Sequence, residues 1–396
     1  MTEGVPVTGK DGGGAAGRRS PAAAGAAPQP RSAAVLAGTP LPPPSGRRSP
    51  DQRPLDQALS PEAAARVAAG LAANTTRAYT RHWATFTRWC ELTGRTPLPA
   101  TRETLAEYVH HLAGETTTQY GGPPAPSTVD TMLSCVQAAH KLAGLDCDAR
   151  LARTALRAYR RERAGHPDPA LRYRRRRAPE IDIAALRRMI EAIAEAVAAG
   201  ELDPLRAERD QLILVLGFAM MGRRSEVAAL DIEDLDFSER GLTVTIRRSK
   251  TDQQAAGAEV FLKRGRHART CPVELARTWL GTLAGHGITG GPLLRGIDRH
   301  GNLAGAGRFA GRGTGRIDDE TLNTIVRDAA VRAGLDHAAA HTFHGLRAGG
   351  ATSAAEAGAA PSTIQQHGRW NSLSMVFVYW RRGTAWTNNA LDGVGL

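Results

Sequence analysis

The longest apolar run in the chain, Leu212 to Met221, spans ten residues. A helix needs roughly 20 apolar residues to cross a bilayer, so this run can leave water only by entering a protein core. It reads as part of one buried helix continuing to Leu230. With 396 residues, 42% of them hydrophobic, the chain exceeds one typical domain and has apolar material for two cores.

Residues 1–50 contain nine Gly, nine Pro and ten Ala and almost no large apolar side chains. Such a segment buries too little surface to offset its ordering entropy, so a disordered tail is expected over 1–55, with Arg18-Arg19 and Arg47-Arg48 as solvated charge. From Ser60-Pro61-Glu62, a proline at a first helical position and helical apolar spacing predict a helix to Leu71. Tyr79, Trp83, Phe86 and Trp89 recur every three or four residues and therefore share a helix face. Thr and Ser cap signals begin further helices over Thr101–Leu112 and Ser127–Leu142. Residues 56–165 are thus expected to form a helical bundle, the aromatic stripe being its core rather than a stacking platform for bases.

Residues 166–179, H-P-D-P-A-L-R-Y-R-R-R-R-A-P, read as a linker. Arg172, Arg174, Arg175, Arg176 and Arg177 repel one another in water, and running along phosphates would relieve that repulsion while releasing counterions, which makes them candidate DNA-binding residues. A solvated charge run is the alternative.

The second unit, 180–396, opens with an expected helix over Ile183–Ala199. Strict alternation in Leu242-Thr-Val-Thr-Ile246, a polar turn and a short strand around Val260–Lys263 predict a β-hairpin with Lys250 at its rim. The Gly-rich stretch 301–315 lacks the apolar content for regular structure, a helix follows over Asp318–Ala333, and helical patterns return after His344. The fold class is mainly α with a small β-sheet.

The formal charge of +12 favours a polyanionic partner, and with no membrane-spanning segment nucleic acid is preferred over a membrane. Cys90, Cys135, Cys147 and Cys271 have no C-x-x-C spacing, and the first fifty residues lack the apolar core of a secretory signal. A reduced, cytoplasmic setting is expected, with the thiols acting as small buried hydrophobes.

Arg223 emerges from the apolar segment with Glu226 three residues on, so it has either an ion-pair partner or a ligand. His344 and Arg347 lie one helical turn apart and are able to converge on one anion. His337, His341 and His344 offer a metal cluster as an alternative, but no H-E-x-x-H pattern occurs, and no metal or cofactor is expected. Tyr379 is the sole tyrosine after residue 173, and Arg223, Arg347, Lys250, His344 and the Trp370 N–H all supply charge or hydrogen bonds to phosphate oxygens.

The order R-x-S-E at Arg223, a hairpin lysine, H-x-L-R-A-G-G-A-T from His344, G-R-W ending at Trp370 and a tyrosine nine residues later resembles the tyrosine recombinase, or phage integrase, family. Residues 60–165 are compatible with that family's helical core-binding, DNA-clamping domain but have no comparably specific signature. The resemblance implies that Arg223 and Arg347 are the catalytic arginines, Lys250 the hairpin lysine, His344 the histidine of the pair and Tyr379 the nucleophile. Trp370 stands where many members have a second histidine, and Glu226 supports the site. Arg224 neighbours Arg223, although the register favours Arg223. Trp370 donates one hydrogen bond and cannot shuttle a proton.

The expected chemistry follows from the side chains. A phenol with a pKa near ~10 needs the two arginines to favour its phenolate and to neutralise the phosphorane formed on attack. His344 is the candidate general base and Lys250 the candidate acid for the departing 5′-oxygen. The expected function is a site-specific DNA recombinase or integrase working through a 3′-phosphotyrosyl intermediate. Rivals are a type IB topoisomerase, a catalytically silent DNA-binding protein on the same fold, and a metal-dependent hydrolase. The resemblance further implies a homotetramer on two double-stranded DNA sites, and it leaves open an accessory directionality factor. Trp386–Leu396 is expected to dock, either on its own domain or on a neighbour.

Overall fold

The computed structural model describes residues 73–114, 116–118, 122–168, 172–173, 178–247, 257–311, 313–387, 389, 391, 392 and 394, with isolated positions at 60, 62 and 66. The expected tail, most of the expected helix from Ser60 to Leu71, Lys250 and Arg174 to Arg177 lie outside the described residues. The chain divides into two compact units, Met1–Arg175 and Arg176–Leu396.

In the first unit α1 (Ala73–Thr93), α2 (Arg102–Gly114), α3 (Pro126–Leu142) and α4 (Arg150–Ala164) surround one core. The aromatic stripe is that core, as its spacing predicted. Trp83, Phe86 and Trp89 are buried, Tyr79 packs against them, and the Tyr108 ring meets Phe86 edge-on at 4.8 Å between centroids. His140 is fully buried at the centre, accepting the Ala100 N–H at Nε2 (2.8 Å) while Nδ1 donates to the Val136 carbonyl (2.8 Å). Those two bonds require the neutral ring, and burial holds its pKa below the ordinary imidazole value. On α4, Ala152, Leu156 and Tyr159 face inward, while Arg150, Arg153, Arg157, Arg160 and Arg161 are exposed.

The second unit comprises α5 (Ile183–Ala198), α6 (Pro204–Ala219), α7 (Arg224–Ala228), β1 (Leu235–Ser238), β2 (Gly241–Ile246), β3 (Ala258–Lys263), α8 (Pro272–Gly285), α9 (Asp319–Arg332), α10 (Phe343–Glu356), α11 (Pro361–Gly368) and α12 (Leu373–Gly383). Leu212 to Leu216, the heart of the apolar run, are at most 1% exposed and form the centre of its core. The expected hairpin is β2–β3, paired antiparallel with Leu242 opposite Leu262 and Val244 opposite Val260, so that alternate apolar residues face inward. A third strand, β1, pairs antiparallel with β2; at four residues it was too short for alternation to mark it. The described part of the Gly-rich stretch is irregular apart from a single 3-10 turn at Gly307–Phe309 and a lone bridge from Leu303 to Ile297, and buried Arg295 braces it by donating to the carbonyls of Gly290, Pro292, Ala304 and Thr314.

Ahead of α5 the chain lies flat along α10. Ile181, fully buried, donates its N–H to the Gly345 carbonyl at 3.1 Å, Ile183 N–H reaches Ser353 Oγ at 3.2 Å, and Glu180 accepts from Thr352 Oγ1 at 3.1 Å. Glu180 also pairs with Arg382 of α12. Glycine is required on the covered face of α10, because a Cβ at Gly349 would lie 1.7 Å from the Ile181 carbonyl oxygen. At the other end of the unit Trp386, Leu391 and Val394 are exposed by 90%, 58% and 59%, so these side chains do not bury themselves on their own unit.

Candidate functional site

The buried helix does not run unbroken from Leu212 to Leu230. It stops at Ala219; Met221 adopts a left-handed conformation (φ 45°), and a new short helix, α7, starts at Arg224. The break leaves the carbonyls of Ala219, Met220 and Met221 without helical partners, and cationic and polar side chains from the C-terminal helices approach them. His367 Nε2 lies 2.7 Å from the Ala219 carbonyl, Arg369 Nη1 donates to Met220 at 3.3 Å, and Arg347 Nη1 donates to Met221. A helix C-terminus thereby gathers the residues that the motifs scatter over more than a hundred positions.

The same break places Arg223 as the N-cap of α7, with extended backbone, rather than on a helix face. Glu226 reaches back to this N-cap: its Oε2 accepts the Arg223 N–H at 3.0 Å and its Oε1 accepts Arg223 Nη1 at 2.5 Å. Arg369 Nη2 completes the set, 2.8 Å from Glu226 Oε2. Burial works to raise the pKa of this carboxyl, but the Arg369 charge and the Arg223 hydrogen bonds outweigh it and hold it below the usual range. Arg224 turns away to Asp319 and Glu320 on α9, so of the two neighbouring arginines it is Arg223 that faces this site.

His344 and Arg347 project from the first turns of α10. Arg347 is 2% exposed, and its guanidinium sits 4.0 Å from the centroid of the Trp370 ring. Burial, and after it the neighbouring Arg223 charge, pushes its pKa down to about 9. Trp370 is buried and packs against the Tyr379 ring at 5.5 Å between centroids. Tyr379, carried by α12, brings its Oη to 3.4 Å from His344 Nε2. The outer edge of His344 is exposed, yet the protein packed around the rest of its ring, and then the Arg347 and Arg223 charges, lower its pKa. A neutral imidazole within reach of a phenol is the state needed to accept its proton.

Six of the expected residues, Arg223, Glu226, His344, Arg347, Trp370 and Tyr379, therefore meet in one place. An open cavity of about 280 Å³ lined by Glu226, Ala229, Leu230, Asp234, Thr245, Ile246 and Arg247 adjoins them at the root of the hairpin. Arg172, the one described member of the arginine run, is exposed and donates Nε–H to the His166 carbonyl at 3.0 Å. Among the described residues no cluster of three or more His, Cys, Asp or Glu is arranged to hold a metal; His341 Nε2 instead lies 3.3 Å from the Asp336 carbonyl. Among the described residues no helix is long and apolar enough to cross a membrane.

Sequence reasoning missed Arg369. It lies inside the G-R-W motif, and its charge within an otherwise apolar signature was the available signal.

The Phage integrase family model matches residues 186–384. The chain is 30% identical over 344 residues to "Integrase/recombinase xerD homolog" of Selenomonas ruminantium, an alignment covering 85% of this chain and 90% of the relative. In fold it resembles the solved structure of XerH site-specific recombinase bound to palindromic difH substrate in a post-cleavage complex. That likeness has a TM-score of 0.52 and 16% identity and covers 86% of this chain and 85% of the other. The chain belongs to the phage integrase family and is a tyrosine-type DNA recombinase.

Proposed function

We propose that this recombinase cleaves double-stranded DNA with Tyr379 as nucleophile and Arg223 and Arg347 as the clamp on the scissile phosphate. The observation that carries the reading is the approach of Tyr379 Oη to His344 Nε2, 3.4 Å, with the Arg347 and Arg223 charges close enough to act on that histidine. His344 takes the phenolic proton as the Tyr379 oxygen attacks phosphorus. The P–O bond to the 5′-oxygen breaks, and the DNA is left joined to Tyr379 through its 3′-phosphate. Lys250, which falls between β2 and β3 in the sequence, gives a proton to the departing 5′-oxygen. Arg223 and Arg347 neutralise the added charge of the phosphorane, and Trp370 shapes the wall against which Arg347 and Tyr379 rest. A 5′-hydroxyl from a second strand then reverses the step without an energy source, because the phosphotyrosyl ester conserves the phosphodiester bond energy.

Around this site we assign residues 56–165 as a DNA-clamping domain, residues 166–179 with Arg172 and Arg174 to Arg177 as a phosphate-tracking linker, and residues 180–396 as the catalytic domain. The exposed arginines of α4 support the clamping role: Arg150 pairs with Asp148, and Arg153 and Arg160 share Asp130, yet arginines outnumber these carboxylates and leave a positive face suited to a polyanion. Four protomers act on two DNA sites, with the exposed apolar C-terminal segment available to a neighbour, and the reaction takes place in the cytoplasm. An accessory factor that sets direction would fit the same scheme.

Nicked suicide duplexes, incubated with wild type and with Tyr379→Phe in the absence of divalent metal, test the reading. Denaturant-resistant protein–DNA adducts are expected with wild type alone. An adduct that persists in the variant removes Tyr379 as nucleophile.

A further inference from the structure

Arg369 occupies a backbone position that does not favour arginine. Its φ of 58° and ψ of 47° place it in the left-handed region as the C-cap of α11. An L residue there costs roughly 1 kcal/mol or more, whereas glycine sits there without strain. What offsets the strain is on the side chain, which is 11% exposed. Nη1 donates to the carbonyls of His367 at 2.9 Å and Met220 at 3.3 Å, and Nη2 to Glu226 Oε2 at 2.8 Å. The Arg369 carbonyl in turn faces Arg223 Nη2 at 3.5 Å. Glu226 is thus divided between two guanidiniums from distant segments of the chain, one oxygen for each. Arg223 comes from the N-terminus of α7, and Arg369 from the segment that runs straight into Trp370 and Tyr379.

We propose that Arg369 is a positioning residue for strand cleavage, tying the segment that carries the nucleophile to the first arginine through Glu226. The inference rests on the reading in which Arg223 binds the scissile phosphate and Tyr379 attacks it. With Arg369 in place, one carboxylate sets both the orientation of Arg223 and the approach of the α11–α12 segment. Without it, Glu226 keeps Arg223 as its sole guanidinium partner, the loop loses its anchor, and guanidinium and phenol no longer share a reference point. The arrangement also explains why the carboxylate stays ionised in a buried site, since the Arg369 charge is the largest influence opposing its burial.

The test is single-turnover cleavage of a nicked suicide duplex by the full chain, with DNA affinity measured in parallel. The variants are Arg369→Gly, which also relieves the backbone strain, Arg369→Lys, Glu226→Gln and the double variant Glu226→Gln/Arg369→Gly. Misplacement of reacting groups by about 1 Å costs up to about 100-fold, so Arg369→Gly is expected to cleave about 10- to 100-fold more slowly with DNA affinity within about twofold of wild type. Lysine should recover part of the rate. The double variant should be no slower than Glu226→Gln alone, the non-additivity expected if one residue acts through the other. On a duplex whose scissile phosphate is a methylphosphonate, which lacks the charge Arg223 neutralises, the Arg369→Gly deficit should shrink; a merely structural defect would persist unchanged. A wild-type cleavage rate in Arg369→Gly, or deficits that multiply with Glu226→Gln, would overturn the proposal. Adducts formed by Tyr379→Phe would instead overturn the reading on which it rests.

Discussion

Replacing Gly349 with alanine adds one methyl group where the structure has none to spare. The new Cβ would stand 1.7 Å from the Ile181 carbonyl oxygen, 2.3 Å from its carbon and 3.0 Å from the Asp182 nitrogen. All three neighbours are backbone, so no rotamer change relieves the clash, and the segment ahead of α5 must retreat from α10. Overpacking of this kind costs about 1–3 kcal/mol. The retreat also breaks the Ile181 N–H to Gly345 bond, worth about 1 kcal/mol, and partly exposes a fully buried isoleucine, worth about 1–2 kcal/mol more. Against these stands the gain of about 1 kcal/mol from alanine over glycine within a helix. The net loss is about 3 kcal/mol, a large share of the 5–15 kcal/mol by which domains are stable. Gly281, inside α8 with open space around its Cβ position, is the control, and Gly281→Ala should gain about 0.5–1 kcal/mol. Urea unfolding of the full chain, followed by tryptophan fluorescence, reads both changes. A Gly349→Ala protein within about 1 kcal/mol of wild type would show that the contact between this segment and α10 is not the fixed seat described above.

Other outcomes follow from the charges. His344 has a lowered pKa, so its neutral, proton-accepting form persists on acidification; the acid limb of the cleavage rate should fall below the ordinary imidazole value of about 6.5, and a limb above it would refute the assignment as base. Glu226→Gln removes the carboxylate of a buried, shared ion pair and should destabilise the second unit by about 3 kcal/mol, measured by thermal or urea unfolding; a loss under about 1 kcal/mol would contradict its role between Arg223 and Arg369. His140, buried neutral, binds its proton more readily in the unfolded chain. The stability of the first unit should therefore be full above about pH 6.5 and decline as the pH falls below it, and a urea midpoint flat from pH 7.5 to 5 would count against this.

Much of this molecule was legible in its sequence because periodicity and spacing report on burial. The Tyr79, Trp83, Phe86 and Trp89 stripe became a core, and the alternation in Leu242–Ile246 became an inward-facing strand. The residues His344, Arg347, Trp370 and Tyr379 came together because helical spacing and short connections confine them. What escaped has physical reasons. The break between α6 and α7 lies inside a run of apolar residues, where hydrophobicity favours burial of helix and turn alike; the bonds that stabilise it come from Arg347, His367 and Arg369, more than a hundred residues away. Arg369 went unread because charge at a left-handed cap is intelligible only once Glu226 is seen beside it. The strand β1 depends on pairing with β2, a tertiary contact that four residues cannot announce.

The residues ahead of α5 limit where this protein can be cut. The family match begins at residue 186 and the first helix of the second unit at Ile183, and both invite a fragment starting there. Such a fragment would discard Glu180, Ile181 and Asp182, bare the glycine face of α10 to water, and strip Arg382 on α12 of its carboxylate partner. It would contain Arg223, His344, Arg347, Trp370 and Tyr379 intact and still be missing a wall. A fragment that keeps these contacts starts no later than Pro179, whose carbonyl also lies against Gly345, so the last residues read as linker pack as part of the second unit.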